Sequence, residues 1–339
     1  MRQRSRIPRR SEIRAIAGRI LADHSDPVVR IRLLRGVLGV RAGNSELVRA
    51  RRRLTDNPWV AGLLEEQRGD GGWGRLHSRD SRIPCRISTT EFGVERALAL
   101  GLGPRHPALC RAARHLHQLL AGAIPVSDPP EVNDRWPTGV RLFAASTLAL
   151  VRPSAPALRP VRRLWLRILR HTFASGDYDA SAENSIHRQL TGASAQGSYL
   201  TLDGKYQLRL LTARAADIAA PLQRAWLDWL MARPAGIGYL SVPLGGTREP
   251  TTPGSWDRWL ASIELLIGLP AARERLRSVI AWLWDTRDGD GFYDLGPRPA
   301  GSVALPLSAS WRRAGQRRVD WTVRVLCLLA RFRQPHGTG

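Results

Sequence analysis

Two kinds of helical pattern alternate along the chain. In PVRRLWLRILRHTF, Val161, Leu164, Trp165, Ile168 and Leu169 recur at helical spacing, while Arg162, Arg163, Arg167 and Arg170 fall on the other side. That arrangement predicts a helix lying on a core with one face in water. SWDRWLASIELLIGL (255–269) and VDWTVRVLCLLARF (319–332) are instead apolar almost all round after a polar start, which predicts buried helices. Each surface-type helix leads into a glycine or aspartate, an aromatic, a turn-rich loop and then a buried-type helix. The aromatics in this position are Trp73, Trp136, Tyr178, Tyr239 and Phe292, so the chain reads as helical hairpins of about 40–60 residues. LLEEQRGDGGWG aligns best with WLWDTRDGDGFYD at an offset of 219, pairing Arg68 with Arg287, Gly72 with Gly291 and Trp73 with Phe292. The unit ending in DRWPTG at Trp136 is the poorest copy.

The buried helices are predicted to start near Thr89, Gly139, Asp203, Ser255 and Arg318, and Pro153 with Pro156 breaks the helix between the second and third units. Residues 11–42 supply a sixth pair. Inner helices that are apolar all round favour closure over an open stack, whose inner helices keep a solvated face. The expected fold is therefore all-α, an α/α toroid of five to six helical hairpins over residues 11–334, preceded by a frayed basic tail over 1–10 that holds five arginines.

Composition changes this picture little. Lysine plus arginine is 52 against 29 acidic residues, a net charge of +23, yet Lys205 is the only lysine and the arginines are spread over polar helix faces. This reads first as GC-rich coding bias, and second as the footprint of an anionic partner. Nucleic acid is not expected, because no stacking aromatics alternate with the arginines. Three scattered cysteines suit a reducing compartment. The longest uncharged apolar stretch, near Leu142–Val151, is too short to span a bilayer, and Arg14 and Arg19 interrupt any secretory signal. A cytoplasmic protein is expected, with weak membrane-surface association of the basic tail as the lesser alternative.

Gln67–Gly74, Q-R-G-D-G-G-W-G, resembles the QW repeat of the squalene and oxidosqualene cyclases and the glycine-rich turn of protein prenyltransferase β subunits. Weaker copies at 233–239 and 287–293 extend the resemblance over residues 57–332. It implies the α/α toroid and an isoprenoid ligand. Physically, the glutamine can cap backbone groups, the glycines permit a tight turn and the indole packs between hairpins, so the motif speaks for architecture and not catalysis. The catalytic motifs of these families are missing. The nearest approach to Asp-x-Asp-Asp is Asp288-Gly-Asp290-Gly291, in a turn, and the Asp-x-Cys of the zinc site does not occur. His115 and His117 cannot share a helix face. No metal site is expected, and magnesium would enter only with a diphosphate substrate.

In a toroid the first turns of the inner helices surround one mouth of a central cavity. Asp257 and Asp320 are expected to begin neighbouring inner helices there as acid or base, among Trp256, Trp259 and Trp321, with Arg258, Arg318 and Arg324 as anion contacts. The competing reading makes these residues, with Thr89, Thr90 and Glu91, simple helix caps. Tyr206 and Lys205 open another inner helix. His77 and Asp80, in the long loop 74–91, form a second candidate acid–base pair. Arg312, Arg313, Arg317 and Arg318 are candidates for a diphosphate headgroup. Three functions stay open: an isoprenoid-binding cyclase or prenyl transferase with altered catalytic residues, a non-catalytic toroid that binds a lipid or a protein, and an unrelated toroid enzyme acting on glycans or peptides.

Overall fold

The computed structural model describes residues 6–82, 85–244 and 249–334, and among these the chain forms fifteen α-helices and no β-strand. In order they are α1 (Arg10–Asp23), α2 (Pro27–Gly36), α3 (Ser45–Arg52), α4 (Pro58–Glu65), α5 (Thr90–Ala99), α6 (Pro107–Leu120), α7 (Trp136–Val151), α8 (Leu158–Thr172), α9 (Ala180–Thr191), α10 (Lys205–Thr212), α11 (Ala220–Ala232), α12 (Pro253–Leu266), α13 (Ala272–Arg275), α14 (Arg277–Asp285) and α15 (Ala314–Arg333). Among the described residues no helix is long and apolar enough to cross a membrane.

The two helix types occupy two layers. Every residue of α7 from Leu142 to Ala149 is buried, and α15 is buried almost continuously from Asp320 to Ala330. On α8 the apolar stripe from Leu158 to Leu169 faces inward and Arg159, Arg163, Arg167 and Arg170 face water. Arg162 departs from its expected place on the wet side: it is buried, and Nη2 donates to the Pro153 carbonyl. The buried-type helices meet in sequence. Helix α5 packs on α7, α7 on α10 and α10 on α12. Arg324 of α15 pairs with Asp257 and Glu264 of α12, α15 packs on α2, and Ile31 of α2 lies against Gly101 just beyond α5. The packing contacts thus form two runs, α5–α7–α10–α12 and α15–α2, which the Arg324 ion pairs and the Ile31–Gly101 approach connect, while α1, α3, α6 and α8 pack against them.

The turn at Gln67–Trp73 shows how one hairpin is attached to the next. Gln67 Nε2 donates to the carbonyls of Gly71 and Ala108, both at 2.8 Å, and its Oε1 accepts from Arg111. Gly71 has φ +92°, and a Cβ there would lie 2.6 Å from the Arg111 carbonyl oxygen, so neither the conformation nor the space admits a side chain. Trp73 is fully buried, donates from Nε1 to the Leu63 carbonyl at 2.8 Å, and presses its ring so closely on Gly93 that a Cβ there would sit 2.5 Å away. One motif thereby binds α4, α5 and α6 together.

The same turn recurs before α15, but one residue out of the expected alignment. Arg68 N–H donates to the Gly72 carbonyl and Trp73 N–H to Thr90 Oγ1; Asp288 N–H donates to the Phe292 carbonyl and Tyr293 N–H to Thr322 Oγ1. Gly71 therefore matches Gly291, which shares its left-handed φ of +84°, and Trp73 matches Tyr293, not Phe292. Identities at Leu64/Leu283 and Arg68/Arg287 misled the alignment, because the turn is registered by its hydrogen bonds. Trp136 also departs from its expected place, since it opens α7 instead of closing a turn, and α9 intervenes between Tyr178 and α10. The basic tail is shorter than expected, because Ile7 packs on the core, Pro8 is buried and Arg10 begins α1; residues 1–5 lie outside the described residues.

The register makes a testable distinction. Trp73→Ala and Tyr293→Ala should each lower stability by about 3–5 kcal/mol, as deletion of a fully buried aromatic does. Phe292→Ala, at a half-buried ring beneath Arg19 and Arg318, should lower it by about 1 kcal/mol. Urea unfolding of the three variants measures this, and a larger loss at Phe292 than at Tyr293 would reverse the assignment.

Candidate functional site

All six buried-type helices contribute to a single cavity of about 870 Å³. It extends from Lys205 in the first turn of α10 to Leu150 and Arg331 near the ends of α7 and α15, with residues 299–307 forming part of the wall. Ile31, Leu98, Ala261 and Leu328 give it an apolar surface. Its charges are mostly basic: Arg32, Arg35, Lys205, Arg209, Arg258, Arg324 and Arg331 against Glu95, Asp257 and Glu264. Arg35 lies near Arg32 and Arg51, and burial together with these like charges lowers its pKa.

At the Lys205 end, three chain segments converge on one carboxylate. Thr89 caps α5 by accepting the Phe92 N–H at 3.1 Å, which places Glu91 in the first turn of that helix. Buried Asp128 accepts the N–H groups of Leu76 at 2.7 Å, His77 at 3.1 Å and Ser78 at 2.5 Å, and so fixes the loop that carries His77. His77 Nδ1 lies 2.9 Å from Glu91 Oε2, the Tyr206 hydroxyl donates to the same oxygen at 2.9 Å, and Lys205 Nζ lies 2.8 Å from Oε1. Phe143 of α7 stacks on the imidazole with ring centroids 3.9 Å apart. One turn further along α5 and α10, Arg209 Nη2 pairs with Glu95 Oε2 at 2.9 Å, while Arg209 Nε and Nη1 meet no acceptor among the described residues. Tyr239 closes the group edge-on to His77 and Tyr206, from a backbone held at φ +69°, a conformation a tyrosine adopts only under constraint.

Charge and burial act together here. Burial opposes ionisation of Glu91, but Lys205, the His77 hydrogen bond and Arg209 overcome it and hold the carboxyl well below the usual carboxylate range. Burial and the adjoining carboxylate push the Tyr206 phenol well above its ordinary value. With Nδ1 turned to Glu91, the His77 ring is held by the carboxylate on one side and by Phe143 on its face.

The other expected site residues lie elsewhere. Asp80 is not joined to His77; it pairs with Arg75 at 2.6 Å and Arg82 at 3.0 Å, and these arginines hold its carboxyl down at about 2. Asp257 and Asp320 do not open their helices, because α12 and α15 begin earlier than expected and both residues lie a turn or more inside. Asp257 lines the cavity but is taken by Ser302 at 2.8 Å and Arg324 at 2.5 Å. Asp320 is buried in the wall, accepting the N–H groups of Leu307 at 2.7 Å and Ser308 at 3.1 Å; burial pushes its carboxyl up to about 6. Trp321 is buried and donates to the Gly296 carbonyl, and Trp256 stacks on Trp282. Arg318 bridges Asp288 and Asp290, and Arg317 pairs with Asp294, so these arginines serve the last turn, and Arg312 is exposed. Arg258 and Arg324 do line the cavity. Glu95 and Arg209 were overlooked in the sequence, although each stands one turn after Glu91 or Lys205 and so shares its helix face. No known protein family, curated protein or solved structure matches the chain.

Replacing Glu91 by Gln removes the nearest anion of Lys205 and leaves Lys205 and Arg209 to share Glu95 alone. The variant should lose about 3–5 kcal/mol at neutral pH, as expected when one member of a buried ion pair is removed. Because the folded carboxyl titrates below the unfolded one, this contribution is complete above about pH 4.3 and is lost as pH falls toward the folded pKa. Urea unfolding at pH 7 and at successively lower pH should show a gap between wild type and variant that narrows only in acid; a gap below about 1 kcal/mol at pH 7 would contradict the role of the pair.

Proposed function

We propose that the chain is a terpenoid cyclase- or prenyltransferase-like protein that binds an isoprenoid, or a comparable ligand with an apolar body and an anionic head, in the central cavity. The observation that carries this reading is the cavity itself: about 870 Å³, apolar along Ile31, Leu98 and Leu328, with an excess of arginine. Such a volume is in the range of small-molecule sites, and guanidinium groups suit carboxylate or phosphate oxygens. Magnesium would accompany a diphosphate through the phosphate oxygens.

The charge pairing supports one kind of terpenoid chemistry over another. Initiation by protonating an alkene needs an unpaired carboxylic acid facing the ligand. Among the described residues the three carboxylates that line the cavity are paired: Glu95 with Arg209, and Asp257 and Glu264 with Arg324. Recognition of an anionic head by the cavity arginines fits this site better. The same pairing favours, as a second reading, a toroid that holds its ligand without turning it over.

Tryptophan fluorescence titrations with farnesyl diphosphate and farnesol separate these possibilities. The diphosphate should bind at least about tenfold more tightly, a difference of about 1.4 kcal/mol, and this margin should shrink in Arg35→Gln and Arg258→Gln. Ala261→Trp, which fills the cavity, should abolish binding of both while keeping the helical circular dichroism. Release of inorganic diphosphate would mark an enzyme, and binding without release the second reading. Failure of both ligands to bind rejects the proposal.

A further inference from the structure

Lys205 is the only lysine among 52 lysines and arginines. Every other basic position in the sequence is arginine, so the single lysine stands out. The buried cations beside it in the inner layer, Arg209 and Arg324, are guanidinium groups that pair well with Glu95, Asp257 and Glu264. An arginine opposite Glu91 would bring the same charge and a fork better matched to a carboxylate. What it would not bring is a nitrogen able to give up a proton and attack carbon.

The surroundings of Lys205 suit that chemistry. It is the first residue of α10 and lines the cavity, with its side chain 19% exposed. Nζ lies 2.8 Å from Glu91 Oε1, 3.9 Å from Glu95 Oε1, 4.7 Å from the centroid of the Tyr206 ring and 5.7 Å from that of Tyr239. His77 and Tyr206 meet the other oxygen of Glu91. Arg209 stands one turn away and fixes Glu95. An amine, an imidazole and a phenol are thus gathered on one carboxylate, beside a cavity with apolar walls.

We propose that Lys205 is a nucleophilic amine that condenses with the carbonyl group of an apolar aldehyde or ketone held in the cavity; the inference rests on the reading that the cavity takes an apolar ligand. The ammonium, 19% exposed, gives up a proton to solvent, the nitrogen lone pair forms the N–C bond as the C–O π bond opens, and one N–H proton moves to the oxygen. The resulting carbinolamine loses its remaining N–H proton, and its oxygen, once protonated, leaves as water. One amine and one carbonyl become one imine and one water, with no oxidant or reductant.

Reductive trapping tests the assignment. The purified chain is incubated with farnesal and cyanoborohydride, then examined by intact mass and peptide mapping. Apart from Lys205 the chain offers only its α-amino group, so the adduct is assigned without ambiguity. Trapping at Lys205 should outpace trapping at the α-amino group by at least about tenfold, the advantage of a positioned reactant, and farnesol should compete. Lys205→Arg, which keeps the charge, should lose the internal adduct while keeping the helical circular dichroism. An adduct confined to the α-amino group overturns the proposal on the wild-type chain alone. If farnesol still binds in that case, the cavity reading survives; if farnesol fails to bind but Lys205 is trapped, the amine stands and the apolar ligand falls.

Discussion

The inner layer depends on ion pairs buried between its helices. Glu91 and Glu95 on α5 face Lys205 and Arg209 on α10, and Arg324 on α15 faces Asp257 and Glu264 on α12. Removing these charges from water is unfavourable, and the interaction holds only because each meets an opposite charge at hydrogen-bond distance. The pairs therefore constrain which helix faces approach one another and how far each helix can slide. They also explain how helices that surround a cavity can be rich in charge without being unstable: the walls are satisfied from within the protein.

A second device positions the loops. Asp128 gathers three successive N–H groups at Leu76–Ser78, and Asp320 holds those of Leu307 and Ser308. Arg96 grips the opposite side of the second loop through the carbonyls of Val303 and Pro306, so the peptide groups lie between a buried cation and a buried anion. Charge-assisted bonds to backbone are strong and directional. Loops with little regular structure are thereby held firmly enough to present His77 to Glu91 at one place and to form the cavity wall at another. Asp320 is a residue of this kind, and its raised pKa reflects burial in a scaffold.

The amphipathic stripe of α8, the all-round apolar character of α7, α12 and α15, and the alternation of the two types could be read directly, because burial on one face or on all faces leaves a period in the sequence. The turn at Gln67–Trp73 was equally legible, since its glutamine, glycines and indole each have a local physical purpose. Its distant copy was misplaced by one residue. Residue identity is a weak guide to register when the turn is defined by which N–H reaches the threonine hydroxyl of the following helix, Thr90 in one case and Thr322 in the other.

By itself the sequence determined the helical class and the presence of His77, Glu91, Tyr206 and a solitary Lys205 as chemically capable residues. Only the tertiary structure decided which of these meet. His77 is 14 positions from Glu91 and 129 from Tyr206 along the chain, and no local pattern encodes such approaches. The same holds for the residues that stand apart. Asp80, Asp257 and Asp320 look as suitable as Glu91 in the sequence, but their partners were chosen by packing: arginines for the first two and backbone N–H groups for the third. Helical periodicity is a short-range property that a chain must display wherever it is buried, whereas the assembly of a site depends on long-range contacts between segments whose order in space is settled only when the inner helices pack.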